Sequence, residues 1–397
     1  MAGAIDFSFE WLLHPTPSRV FLNSHWQKMP LHISNRGQGY FQKFFTIDRF
    51  EAELAGGHFH PDVLRLFDAG ERLPVETYLD PSGRPRMRDL FRLFAEGKTI
   101  NYYIHYSDPK IASLCRDVET KLHFKTKPAL FLTPREANGL GAHYDYVDIF
   151  VLQLWGKKTW RLFEPVFDSP IRDQDRLAID KTRLGEPVLE AELQCGDVLY
   201  LPRGYIHEPF TTDEPSLHLS LGITFFVWYD LLKEILERAV SGDALLRQPI
   251  PSELLKDPDS TGFDEVIGQA LAVLQTHAKT GPAVRKLLEG VYLDQPQHTG
   301  GQFRQLARLA EIGPETLVVQ RDVATGFVAD GGEIAELVFS GDKLTGPGHL
   351  APILRDIAAR KEPFRPVDLV CSLNEKSRLV LIRKLVQQGY LKIAAEA

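Results

Sequence analysis

The chain is poor in cysteine. Cys115, Cys195 and Cys371 lie far apart along 397 residues. An odd number at wide spacing fits neither a disulfide framework nor a zinc knuckle. A reducing cytoplasm is the simplest setting for such usage. Long apolar runs are also missing. No stretch approaches the ~18 uninterrupted apolar residues of a membrane-spanning helix. The opening MAGAIDFSFEWLLHPTP lacks the basic start and long apolar centre of a secretion signal. Nor is there an excess of positive charge. Against 46 basic residues stand 53 acidic ones, a net charge of −7. That argues against a general nucleic-acid binder and permits a basic protein or peptide as partner. No internal repeat and no low-complexity run interrupts the chain.

What is present suffices for a large core. Apolar residues make up 44% and charged residues 25%, as in ordinary globular proteins. The length suggests two or three domains. Up to about residue 120, helix and strand signals are mixed. PSRVFLNSHWQKMPLHI reads as a helix ending before Pro30, and FTIDRFEAEL as another, with Asp48 near its start. KTINYYIHY (98–106) is aromatic and β-branched, so a strand is predicted. DPKIASLCRDVETKL places Ile111, Leu114, Val118 and Leu122 on one helical face.

Between 127 and 227 the character changes. PALFLT, DIFVLQLW, KTWRLFEP, VLEAEL, DVLYLP and SLHLSLGITFFVW are short strand-like runs separated by turn signals. The series predicts an antiparallel sandwich or barrel. From 229 the pattern is helical, in YDLLKEILERAV, FDEVIGQALAVLQTHA and AVRKLLEGVYL. From about 315, strands in ETLVVQRD and EIAELVFSG precede a helix in HLAPILRDIAAR. A helix–turn–helix with a short closing strand is then predicted to 393, an order that resembles a winged helix. The expected organisation is α+β: a β-rich domain with an N-terminal elaboration (1–228), a helical region (229–314) and a winged-helix domain (315–397).

The chemistry concentrates in AHYDYVDIFVLQLWGKKTW, residues 142–160. His143 and Asp145, two apart, are predicted to share one face of a strand. A third ligand must come from elsewhere, and His207, expected just past the strand DVLYLP, is the candidate. Two histidines and one carboxylate make a facial triad, the ligand set of non-haem Fe(II) oxygenases, with positions left open for O2 and a co-substrate. Lys158 starts the next strand after the Gly156-Lys157 turn. A lysine aimed into a barrel needs an anion, and the distal carboxylate of 2-oxoglutarate is one. Lys157 reads as a solvated turn lysine. Asp148, three beyond Asp145, falls on the opposite face and reads as structural. Gln153, alone in an apolar strand, is expected to satisfy a backbone group.

Taken together, HYDYVDIFVLQLWGKKTWRLFEP and LPRGYIHEP…SLHLSLGI resemble the JmjC domain of the 2-oxoglutarate-dependent ribosomal oxygenases. The shared pattern is His-x-Asp, an apolar strand, Gly-x-Lys-x-Trp and a distal Pro-Arg-Gly-x-x-His. NSHWQKMPLHISN is similar to the family's N-terminal signature, and the C-terminal half follows its helical and winged-helix plan. The resemblance implies a double-stranded β-helix (jelly-roll, cupin-like) core. It implies Fe(II) on His143, Asp145 and His207, and a salt bridge from Lys158 to 2-oxoglutarate. His218 and Ser220, with the retained Thr133, fall where the family has polar residues near the co-substrate. Ala129 and Phe131 depart from it, standing where Asn and Tyr are frequent.

The implied reaction uses 2-oxoglutarate and O2 to hydroxylate a protein side chain, His or Arg of a ribosomal protein, and Lys158 resembles the histidinyl branch. The family further implies a homodimer built through the helical region. Three other readings stay open from sequence: hydroxylation of a peptide natural product or another protein, a zinc hydrolase, and a non-catalytic cupin-like module. DNA binding through Lys376, Arg378, Arg383 and Lys384 finds too few cations in an acidic chain.

Overall fold

The computed structural model describes residues 7–104, 107–172, 179, 184–257, 259, 261–278, 280–295, 297, 300–321 and 326–394. It divides into two compact units, 1–225 and 226–397. The first unit begins with helices α1 (Phe9–Leu13) and α2 (Ser18–Ser24), strand β1 (Leu31–Ile33) and helix α3 (Ile47–Gly56). Strands β2 (Leu64–Asp68) and β3 (Glu71–Arg72), helix α4 (Met87–Ala95), strand β4 (Thr99–Tyr102) and helix α5 (Pro109–Leu122) follow. Seven strands complete it: β5 (Lys125–Thr133), β6 (Asp148–Gly156), β7 (Lys158–Phe163), β8 (Leu189–Leu193), β9 (Val198–Leu201), β10 (Ile206–Phe210) and β11 (Ser216–Thr224).

Local chemistry sets the helix starts. Thr46 caps α3 by accepting from Arg49 N–H. Asp108 caps α5 by accepting from Lys110 and Ile111, with Pro109 in the first turn. The helix expected through residue 29 stops at Ser24. Gln27 takes a positive φ of 55°, and the chain turns so that β1 can pair with β9. The strand expected over 98–106 is shorter, and residues 105 and 106 lie outside the described ones.

The strands form an eight-stranded sheet, ordered β1-β9-β6-β11-β5-β4-β2-β3, and a three-stranded sheet, β10-β7-β8. Val151, Leu199 and Leu201 of the large sheet pack with Trp160, Leu162, Ala191 and Leu193 of the small one. This is the core of a cupin-like fold. Side-chain alternation sends Phe150 and Tyr200 to the other face of the large sheet, where Phe9 and Phe21 of α1 and α2 pack on them. All four rings are buried, and each contributes roughly 2–3 kcal/mol by leaving water.

The second unit opens with α6 (Trp228–Gly242), α7 (Gly262–His277), α8 (Thr280–Leu293) and α9 (Gln302–Ala307). Strand β12 (Val318–Gln320) precedes the meander β13 (Gly326–Asp330), β14 (Ile334–Phe339) and β15 (Asp342–Pro347). Helices α10 (Ala351–Ala359) and α11 (Glu375–Gln387) lead to β16 (Leu391–Ile393), which pairs with β12. Leu337, Phe339, Leu354, Ile382 and Leu385 are among its core residues. The helix expected before α11 is a single 3-10 turn, Pro366–Asp368. Val370 beyond it is 95% exposed, so that segment has no continuous apolar face to hold a longer helix. Among the described residues, no helix is long and apolar enough to cross a membrane.

Candidate metal centre and co-substrate pocket

His143, Asp145 and His207 converge. One ligand atom from each lies within 4.8 Å of the other two. The Asp145 carboxylate is 3.9 Å from His143 Nε2 and 3.5 Å from His207 Nε2. The route to this geometry differs from the expected one. His143 and Asp145 do not share a strand face; they lie in the segment before β6. His207 is not just past a strand but on one, β10, which pairs with β7. Pro209 hides β10 in the sequence, and it is tolerated because β10 is an edge strand.

The histidines are aligned by backbone. His143 N–H donates to His207 O at 3.0 Å, and His207 N–H donates to His143 O at 2.8 Å. The imidazole centroids are 4.2 Å apart. Each Nδ1 faces a carbonyl, His143 that of Gly141 at 2.9 Å and His207 that of Tyr205 at 3.1 Å. A carbonyl only accepts, so Nδ1 carries the proton and Nε2 keeps its lone pair toward Asp145. Burial, and then the neighbouring His143, push the His207 imidazole down to about 4, against the opposing pull of Asp145. The ring is therefore neutral near pH 7. Two imidazoles and a carboxylate suit a divalent ion of the iron type, with part of its coordination sphere open.

These residues line a cavity of about 340 Å³ that also contains Lys158, Trp160, His218 and Ser220. Lys158 is 3% exposed and donates to Thr133 Oγ1 at 2.9 Å. No carboxylate pairs with it among the described residues, and burial pulls its pKa down to about 7. Its place follows from Gly156, whose φ of +63° and close approach to the Pro215 carbonyl leave no room for a Cβ. The Lys157 ammonium turns instead to exposed Asp213 at 2.9 Å.

His218 and Ser220 point to the cavity from one face of β11, opposite Phe131 and Ala129 of β5. The His218 ring stacks on Phe131 at 5.1 Å and meets Trp160 edge-on. Burial, and then Lys158, keep it well below the ordinary histidine pKa. Among the described residues its Nδ1 is buried without a partner, as are Trp160 Nε1, Thr99 Oγ1 and Arg65 Nε, all from residues lining this cavity. Such a gathering of orphaned polar atoms marks a place for a ligand. Gln153 does satisfy backbone carbonyls, those of Trp155 and Gly156, and also reaches Ser216 Oγ at 3.0 Å.

Asp148 is fully buried on the far face of β6. It accepts from Arg203 N–H at 2.9 Å and from the Tyr200 hydroxyl. Burial lifts its pKa to about 6. Sequence reasoning missed its partner Tyr200, and it missed Arg65, Tyr103 and Lys127 on the cavity wall. Nothing local to those residues marks them; they come to the site through the pairing of β2, β4 and β5.

The JmjC domain family matches residues 104–231. The chain carries a JmjC domain. Curated relatives include chicken (Gallus gallus) ribosomal oxygenase 1, 28% identical over 72% of this chain and 48% of its own. Another is the Aedes aegypti bifunctional lysine-specific demethylase and histidyl-hydroxylase NO66, 30% identical over 62% of this chain and 40% of its own. The chain spans less than half the length of the curated relatives it matches. The Escherichia coli ribosomal oxygenase YcfD shares the fold, with a TM-score of 0.58 and 17% identity over 96% of this chain and 98% of that one. A YcfD complex with cobalt and 2-oxoglutarate superposes at a TM-score of 0.57, with 16% identity over 96% of this chain and 99% of that one. The JmjC match includes His143, Asp145, Lys158, His207, His218 and Ser220.

Proposed function

We propose that the protein is an Fe(II)- and 2-oxoglutarate-dependent oxygenase that hydroxylates a protein side chain, His or Arg of a ribosomal protein. The observation that carries this reading is Lys158. A lysine 3% exposed, with only a threonine hydroxyl for company among the described residues, is out of place unless an anion joins it. It lines the same cavity as the His143, Asp145 and His207 cluster.

In this reading His143, Asp145 and His207 hold the iron. Lys158 and Thr133 hold the far carboxylate of 2-oxoglutarate, with His218 and Ser220 beside it. Bound iron and 2-oxoglutarate supply the oxidation by O2, giving succinate, CO2 and a hydroxylated product. The chain supplies position, through the Nδ1-anchored histidines, and keeps water out with Trp160, Phe131 and Ala129. Iron is favoured over zinc because a lysine aimed at a co-substrate serves an oxygenase and not a hydrolase.

The second unit is proposed to serve assembly, its helices forming a homodimer and residues 315–397 a winged helix that does not bind nucleic acid. Trp228, Tyr229 and Leu232 of α6 are 79%, 53% and 62% exposed, which supports a protein partner there. A cytoplasmic location fits the cysteine usage.

The test is a mass comparison of ribosomal proteins from a deletion strain, its parent and a His143→Ala strain. A one-oxygen shift present only in the parent is expected. Its absence across the full ribosomal set would remove the ribosomal substrate and favour a peptide natural product or another protein.

A further inference from the structure

Lys158 is not the only cation lining the cavity among the described residues. Arg65 lies on β2 and Lys127 on β5, and both line the cavity with Tyr103. Strand register explains this. Arg65 faces Asn101 across β2 and β4, and Asn101 faces Phe131 across β4 and β5. Alternation then sets Arg65, Thr99, Lys127, Ala129 and Phe131 on one face. Lys127 and Arg65 each sit 5.0 Å from the centroid of the Tyr103 ring, so one aromatic face system holds two like charges.

Little offsets those charges. Arg65 reaches Asp62 at 3.5 Å, but its Nε is buried with no partner among the described residues. Thr99 Oγ1 is orphaned as well. Lys127 has no carboxylate partner among the described residues. Lys127 keeps an exposed surface, and partial loss of solvent, then Arg65 and Arg172, depress its pKa.

This is not a second hold on the co-substrate. Lys127 and Thr133 are six residues apart on β5, about 20 Å along an extended strand. A five-carbon diacid anchored at Lys158 beside Thr133 does not reach it.

We propose that Arg65, Lys127 and Tyr103 form an anion subsite that binds a carboxylate side chain of the substrate, flanking the residue presented to the metal. The inference rests on the oxygenase reading. It selects an acidic residue near the target, and its charges oppose entry of a cationic side chain, favouring histidine over arginine as target. A peptide is preferred to RNA because two or three cations in a chain of net charge −7 give few phosphate contacts.

The 397-residue chain, loaded with Mn(II) and saturated with 2-oxoglutarate, tests this. The probes are acetyl-Gly-Glu-His-Gly-amide and its Gln counterpart, followed by Mn(II)-induced broadening of the histidine ring protons. The Glu peptide is expected to bind about tenfold more tightly, with the gap closing in Arg65→Gln and Lys127→Gln and at high salt. Equal binding of the two peptides, no binding of either, or a gap that survives both substitutions overturns the proposal. So does weaker 2-oxoglutarate binding in Lys127→Gln, which would give the site to the co-substrate. Tighter binding of a ten-nucleotide uridine oligomer, lost in the same variants, would give it to RNA and overturn it too. Failure of Mn(II) and 2-oxoglutarate to bind the wild-type protein is a separate result and would count against the oxygenase reading itself.

Discussion

His143 and His207 exchange both backbone hydrogen bonds, at 3.0 and 2.8 Å, although 64 positions separate them in the chain. This two-residue bridge, outside any regular strand pair for His143, fixes the ring spacing before any metal arrives. The ligand set is thereby preorganised, and its members should act as a unit. His143→Ala and His207→Ala are each expected to abolish Mn(II) binding measured by calorimetry, a loss well beyond the ~10–100-fold typical of residues that only support a ligand. The fold should persist, because the bridge is made by backbone. Retained tight binding in either variant would remove that residue from the metal centre.

Lys158 makes the apoprotein sensitive to alkaline pH in a definite direction. Its pKa is about 7 when folded and 10.5 when unfolded. The unfolded chain therefore holds more protons across that window, and stability rises with pH. Between pH 7 and 9 this residue should add about 2 kcal/mol. Lys158→Met is expected to be more stable than wild type at pH 7, with the advantage shrinking by that amount at pH 9. Denaturant melts of both proteins without ligand measure it. Parallel pH profiles would show that the ammonium is better solvated than its burial implies.

The same residue should govern the co-substrate. A charge-assisted hydrogen bond is worth roughly 1.5–3 kcal/mol, so Lys158→Ala should weaken 2-oxoglutarate about 10- to 100-fold. Thr133→Ala, which removes only the neutral partner of Lys158 at 2.9 Å, should weaken it less than about tenfold. Binding to the Mn(II) protein is the readout. An equal loss in both variants would mean that Thr133 touches the ligand as directly as Lys158 does.

The legible parts of this chain were those whose chemistry is local. Lys158, marked by the Gly156-Lys157 turn, lies where expected, and alternation correctly set His218 and Ser220 on one face. The triad residues converge, yet the strand geometry behind that expectation was wrong, because His143 pairs with a residue far downstream. β10 was missed since Pro209 and Glu208 break its apolar pattern. Arg65, Tyr103 and Lys127 carried no signal, since only the order of β2, β4 and β5 unites them. In the second unit, β13 and β15 went unread, because DKLTGP alternates too weakly to announce a strand.

Asp148 is expected to set metal affinity without touching the metal. One carboxylate oxygen accepts from Arg203 N–H and the other from the Tyr200 hydroxyl, while Gly204 N–H donates to Asp145 O at 3.0 Å. The Pro202–Gly204 turn is thus tied both to β6 and to a ligand residue, three positions before His207. Asp148→Ala leaves two donors unpaired in a buried place, at about 1–3 kcal/mol each. A unit of this size should lose several degrees of Tm, at ~2–4 °C per kcal/mol. Mn(II) affinity should fall by about tenfold, because the turn no longer fixes His207. Tyr200→Phe, which keeps the Arg203 bond, should lower Tm while sparing metal affinity. If the two variants lose affinity in proportion to stability, Asp148 acts only through the core, and the turn is held by something else.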